Sequence, residues 1–186
     1  MLDAALDAGD VAAFQLRLVG GSDDLIKHAV ETLMPRVQAR DVAFLIDERS
    51  DLAASLGCDG VHLDTAGGAY NQARRILGGA RMIGISAGNS RHSAIEAAEA
   101  GADYVSFGPF FAGTTKPAAD FADVEIVRWW ADLMEVPCVA VGGLTPVNCR
   151  PLVEARADFI AVSGGVWNHR DGPAAAVKAC NQIFAA

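Results

Sequence analysis

Four cysteines, Cys58, Cys138, Cys149 and Cys180, are scattered along the chain, and none stands in a C-x-x-C pair or with a histidine-rich companion. Zinc ligation and dithiol redox chemistry both depend on such close spacing, so these thiols read as reduced, mostly packing groups. Basic excess is lacking as well: 15 Lys and Arg against 23 Asp and Glu leave a formal charge of −8. A non-specific nucleic-acid binder usually presents a basic face to the phosphates, so that class is disfavoured and any anionic ligand must be held locally. The opening MLDAALDAGD has neither the basic start nor the apolar run of a secretory leader, and no later apolar segment reaches membrane-spanning length free of charge. The expectation is a cytoplasmic chain with no membrane and no nucleic-acid partner. No Pro/Ser tract or low-complexity segment divides the 186 residues, which are 52% hydrophobic and 20% charged. A single domain over residues 1–186 with a sizeable core is expected.

What is present is a repeat. The phrases AGDVAAFQL, LGCDGVHL, AGADYVSF and ARADFIAV each end a helix-like segment, turn the chain at an Asp and enter a β-rich apolar run. The pattern predicts strands over Ala12–Arg17, Val42–Ile46, Gly60–Leu63, Met82–Ser86, Tyr104–Phe107, Cys138–Val141 and Phe159–Val162. Helix-period segments lie between them at Asp23–Ala39, Ser90–Ala100, Asp123–Glu135, Pro146–Glu154 and Pro173–Phe184, with shorter ones near Asp51–Leu56 and Tyr70–Leu77. Strands alternating with helices imply a parallel sheet covered by helices, either a closed barrel or an open doubly wound sheet. An αβ step recurring without an obvious strand-order reversal favours the barrel. Met1–Ala8 reads as the end of a helix with no strand before it, so an eightfold barrel would be one strand short.

Polar residues cluster where the strands end, which is where α/β sites gather. Gly142-Gly143 and Gly164-Gly165 follow strands one αβ unit apart. Paired glycine loops of that kind let backbone N–H groups approach an anion, and the helix N-termini beyond them favour negative charge. Either pair alone reads better as a tight turn; both together read as a phosphate cup. The long polar connection Phe110–Asp120 brings Thr114, Thr115 and Lys116, hydroxyls and a mobile cation able to reach phosphate oxygens. Asp47 and Glu48 follow a strand and could offer oxygens to a hard cation such as Mg²⁺, although loop charge is the blander reading. Gln15 and Arg17 share one side of their strand by period-two alternation. His62 and Ser86 also lie at strand ends, where His62 reads as a satisfied core group, and Trp129, Trp130 and Trp167 read as packing residues.

In order along the chain, QLR, DLAASLGCDGVHL, GADYVSFGPFF…TTKP, CVAVGGLTP and ADFIAVSGGVW together resemble thiamine phosphate synthase. The resemblance implies a TIM-type (βα)8 barrel, here lacking its first β-strand. It also implies a transferase that joins hydroxymethylpyrimidine pyrophosphate to thiazole phosphate and releases pyrophosphate with Mg²⁺. By position, it implies that Gln15 meets the pyrimidine and Arg17 the pyrophosphate, with Ser86 and Lys116 at the reacting end. Thr115 would face the thiazole, and Gly143, Ser163 and Gly164 would bind its phosphate. The implied partners are small phosphorylated molecules, with a homo-oligomer left open.

The chain departs from the family pattern at Val19, where a second cation is usual, at Asp47-Glu48 in place of Asn-Asp, at Gly67 in place of a metal-binding Asp, and at Gly113 in place of a threonine. Losing the cation at Val19 and gaining a carboxylate at Asp47-Glu48 make the pyrophosphate region more acidic. Two alternatives follow: a non-catalytic binder of thiazole phosphate or thiamine phosphate, and a thiazole tautomerase. For the latter, Leu18 and Gly88 stand where a glutamate and a histidine are expected.

Overall fold

The computed structural model describes residues 1–64, 67–113 and 120–185. Seven parallel strands form one sheet in simple sequence order. They are β1 (Ala13–Leu16), β2 (Ala43–Asp47), β3 (Gly60–Leu63), β4 (Met82–Gly88), β5 (Tyr104–Phe107), β6 (Cys138–Val141) and β7 (Phe159–Ala161). Around them run α1 (Leu2–Leu6), α2 (Asp23–Gln38), α3 (Ser50–Leu56), α4 (Gly68–Leu77), α5 (Arg91–Ala100), α6 (Val124–Leu133), α7 (Arg150–Glu154), α8 (Gly164–Trp167) and α9 (Pro173–Phe184). This is the expected curled α/β barrel with one strand missing. No helix among the described residues is long and apolar enough to cross a membrane.

The repeated aspartates explain how neighbouring strands are pinned. Asp59, just before β3, accepts the amide of Phe44 in β2 at 2.7 Å; Asp103, before β5, accepts that of Ile83 in β4 at 2.7 Å; Asp158, before β7, accepts that of Cys138 in β6 at 2.8 Å. Each carboxylate satisfies an amide near the start of the adjacent strand and so helps fix the register.

Strand residues facing the helices form the main core: Phe44, Ile46, Val61, Ile83, Ile85 and Phe107 are fully or almost fully buried. Trp130 closes against Phe107 edge to face at 5.5 Å, and its indole N–H donates to the Val136 carbonyl at 2.7 Å, which confirms a packing role. Helix starts are capped as their sequences suggest: Ser22, Ser90 and Asp123 accept amides of Leu25, Ser93 and Glu125 at 3.3, 3.1 and 2.9 Å.

Among the described residues no ladder joins β1 to β7, and the sheet stays unclosed at that seam. The helical layer spans it instead. α1 packs on α9 and α2, with Arg36 and Arg40 bound to Asp3 and Asp7. The Asn181 amide takes the Asp10 N–H at 2.6 Å and donates to the Asp10 carbonyl at 3.2 Å.

Besides a shorter β1, two helices differ from the sequence expectation. The helix expected over Pro146–Glu154 begins only at Arg150, because Asn148 folds back: its Oδ1 accepts the Thr145 amide at 2.8 Å and its Nδ2 donates to the Gly143 carbonyl at 3.0 Å. The single-turn α8 follows β7 directly, where no helix is expected.

Candidate active site

The inner ends of β1 and β2 meet over one carboxylate. Gln15 on β1 donates to Asp47 Oδ1, and Arg17, one residue beyond β1, places its Nε 2.7 Å from Asp47 Oδ2. The register brings Gln15 opposite Leu45 and so sets both side chains beside Asp47 at the end of β2. The Arg17 contact runs through Nε, so the terminal nitrogens of the fork can turn to an anion. Glu48, the next residue, has φ +60 and takes a different partner: its Oε1 accepts the Asp64 amide.

Deeper in the barrel, β3, β4 and β5 share a polar knot. His62 Nδ1 lies 3.0 Å from the Tyr104 hydroxyl, and His62 Nε2 lies 3.2 Å from Ser86 Oγ and 3.5 Å from Ser106 Oγ. The two serine hydroxyls are 3.3 Å apart. The His62 and Tyr104 rings stack at 5.6 Å, which is possible only because Gly84 stands between them on β4: a β-carbon there would overlap Tyr104 Cζ. Burial first, then the charges of Asp47 and Asp103, push the Tyr104 phenol up, so it remains a protonated O–H.

The two glycine strand ends lie against each other. A β-carbon on Gly165 would run into the Leu144 carbonyl, so the turn after β6 and the first turn of α8 are in backbone contact. Gly143 has φ +67, and a side chain there would meet the Phe111 carbonyl. The amides of Gly143, Ser163, Gly164 and Gly165 donate to no group among the described residues. Among the described residues, then, four amides on adjoining loops are left as donors that an anion could take up.

Gln15, Arg17, Asp47, Ser86, Gly143 and Ser163 all line one continuous cavity of about 2720 Å³ that also takes in the seam between β1 and β7. Thus Gln15, Arg17 and Ser86 face the same space as Gly143, Ser163 and Gly164. Thr115 and Lys116 lie outside the described residues. The carboxylates of Asp47 and Glu48 are the hard oxygen donors Mg²⁺ prefers. As placed, however, one serves Gln15 and Arg17 and the other the Asp64 amide. No three His, Cys, Asp or Glu side chains among the described residues could hold one metal ion. The Asp47–Glu48 pair expected from the sequence therefore does not by itself form a Mg²⁺ site.

Sequence reasoning missed the Tyr104–His62–Ser86 connection and the capture of Asp47 by β1. Period-two alternation does place Tyr104 and Ser106 on one side of β5, which was the available signal.

A family model described as thiamine monophosphate synthase matches residues 1–166. A thiamine-phosphate synthase of Rhodospirillum centenum is 55% identical over 183 residues, covering 98% of this chain and 88% of that protein. Its counterpart in Hyphomonas neptunium is 47% identical over 187 residues, covering 98% and 85%. Among solved structures, a thiamine phosphate pyrophosphorylase from Pyrococcus furiosus superposes with a TM-score of 0.87 at 28% identity, over 99% of this chain and 87% of that one.

Proposed function

The chain belongs to the thiamine monophosphate synthase family, and from that premise we propose that it joins hydroxymethylpyrimidine pyrophosphate to thiazole phosphate, acting as one unit over residues 1–186. The thiazole nitrogen lone pair forms the new C–N bond at the pyrimidine methylene carbon. The bond from that carbon to the pyrophosphate oxygen breaks, and pyrophosphate leaves with the electron pair. Neither alternative, non-catalytic binding or thiazole tautomerisation, has an observation of its own.

Each part of the site has a task in this reading. The amides of Gly143, Ser163 and Gly164 hold the thiazole phosphate at the ends of β6 and β7. Gln15 meets the pyrimidine, and Arg17 turns the free side of its guanidinium to the pyrophosphate. Negative charge grows on the leaving oxygens in the transition state, so donors fixed beforehand lower the barrier most. Ser86 supplies one such donor, with Lys116 as the second cation and Thr115 toward the thiazole. Asp47 holds Gln15 and Arg17 in place, and no step is routed through Mg²⁺ because its donors do not converge. The substrates are small phosphorylated molecules, and the expected setting is the cytoplasm.

The observation that carries the reading is the row of unpaired amides on adjoining loops, facing the same cavity as Gln15, Arg17 and Ser86. Incubating the purified protein with both substrates and Mg²⁺ tests it. Thiamine phosphate and pyrophosphate should appear in equal amounts. Calorimetric binding of thiazole phosphate without product would overturn the transferase reading in favour of a binder.

A further inference from the structure

We infer that Asn148 is a positioning residue for the thiazole phosphate: its side-chain amide clamps the turn after β6 so that the Gly143 carbonyl is drawn back from the cavity and peptide N–H groups are left to face the anion. The inference rests on the proposed binding of that phosphate at the ends of β6 and β7.

A turn that receives an anion has two kinds of backbone group to place. Its N–H groups attract phosphate oxygens and its carbonyl oxygens repel them, so the carbonyls have to be occupied elsewhere. Both carbonyls of the glycine pair are. The Phe111 amide donates to the Gly142 carbonyl at 3.2 Å, and Asn148 Nδ2 donates to the Gly143 carbonyl at 3.0 Å. The C=O and N–H of a trans peptide point to opposite sides. Holding the Gly143 oxygen toward Asn148 therefore sends the Leu144 N–H the other way. Gly143 and Leu144 line the cavity, whereas Asn148 does not. The Leu144 N–H donates to no group among the described residues, and so it joins the amides of Gly143, Ser163 and Gly164 as a donor for the phosphate.

The orientation of the Asn148 amide is fixed by its two partners. Thr145 presents an N–H, which Oδ1 accepts at 2.8 Å, and Gly143 presents a carbonyl, which only Nδ2 can serve. Exchanging the two side-chain atoms would set donor against donor and acceptor against acceptor. The Asn148 backbone closes the same turn, its N–H donating to the Thr145 carbonyl at 3.2 Å. The turn thus asks one short planar group for an acceptor and a donor at once. A carboxylate of the same shape supplies only the acceptor. Asn148 touches no substrate atom in this account and acts wholly through residues 143–145.

The test compares calorimetric binding of thiazole phosphate with that of the same thiazole bearing a free hydroxyl in place of the phosphate. Asn148→Ala should weaken the phosphate ester roughly tenfold, the scale of one hydrogen bond to an anion, and should bind the alcohol as the wild type does. In turnover it should raise KM for thiazole phosphate and leave kcat and KM for the pyrimidine pyrophosphate unchanged, the pattern of a lost uniform binding contact. The wild type gives a second reading that needs no substitution. Its Leu144 amide proton should move downfield as thiazole phosphate saturates the protein. Equal weakening of ester and alcohol in Asn148→Ala would make the residue merely structural and overturn the inference. Unchanged binding of the ester in that variant would overturn it too, as would a Leu144 amide proton that ignores the ligand. All of these are binding measurements, so a wild type that binds the ester and forms no thiamine phosphate would refute the transferase reading alone.

Discussion

Gly84 lies beneath the ring of Tyr104, so that a β-carbon at position 84 would occupy the place of Tyr104 Cζ. A glycine on β4 therefore admits the largest side chain of β5 and lets it stack on His62 of β3.

Gly84→Ala should therefore act at a distance from its own methyl group. The ring must move, and overpacking of this kind costs about 1–3 kcal/mol. Urea denaturation should show the lower midpoint with an unchanged slope. Tyrosine fluorescence would not isolate the effect; the His62 nitrogen signal would, by shifting as the Tyr104 contact is lost.

Gly143→Ala should damage the anion cradle and the fold together. The residue has φ +67, and its β-carbon would meet the Phe111 carbonyl. A left-handed backbone alone costs a non-glycine residue about 1–2 kcal/mol. Calorimetry should show weaker binding of thiazole phosphate, whereas binding of pyrophosphate alone should change little.

Asp47→Asn should release Arg17 and Gln15. The ion pair is partly exposed, with 32% and 20% of the two side chains accessible, so its loss should change stability by less than about 1 kcal/mol. Turnover should fall much further, because the guanidinium is no longer held for the pyrophosphate. If Asp47 serves only as an anchor, the Mg²⁺ concentration giving half-maximal rate should stay where it is in the wild type. A large rise in that concentration would make Asp47 a ligand instead.

The four buried thiols predict a one-sided response to alkali. Burial pushes Cys58 and Cys138 from an ordinary 9.0 up to about 11, and Cys180 up to about 12. Below pH 9 these thiols are protonated whether the chain is folded or not. Above it the unfolded chain releases protons that the folded one retains, so stability should fall as pH rises from about 9 toward 11 to 12. Thermal melts across that range should show the decline, and alkylation at pH 8 should be slow until the protein unfolds.

Much of the architecture was legible because an Asp turn and a β-rich run recur along the chain, and all seven strands occur where expected. The differences have local causes. β1 is shorter than Ala12–Arg17, having a partner on one side only. α7 starts late because Asn148 competes for backbone groups. α8, at four residues, is too short to carry a helical period. The contact between the two glycine turns was legible from Gly142-Gly143 and Gly164-Gly165 only as a pair on successive units, since either alone reads as a tight turn. The Asp47 anchor was not, because its partners lie on another strand, 32 residues away in the case of Gln15. The stacking of Tyr104 on His62 was hidden for a similar reason: it depends on a gap left by a third residue between them.

The unclosed seam places the two groups of proposed substrate contacts on opposite free margins of one sheet. Gln15 lies on β1 and Arg17 just past it, while Ser163 and Gly164 follow β7, and among the described residues no amide-to-carbonyl rung joins those margins. The distance between those margins is consequently gauged by the α1–α9 contact and the Asn181 clasp on Asp10. A loosened clasp would let that span widen while every rung of the sheet stayed intact, so heat should misalign the substrates before it melts the barrel.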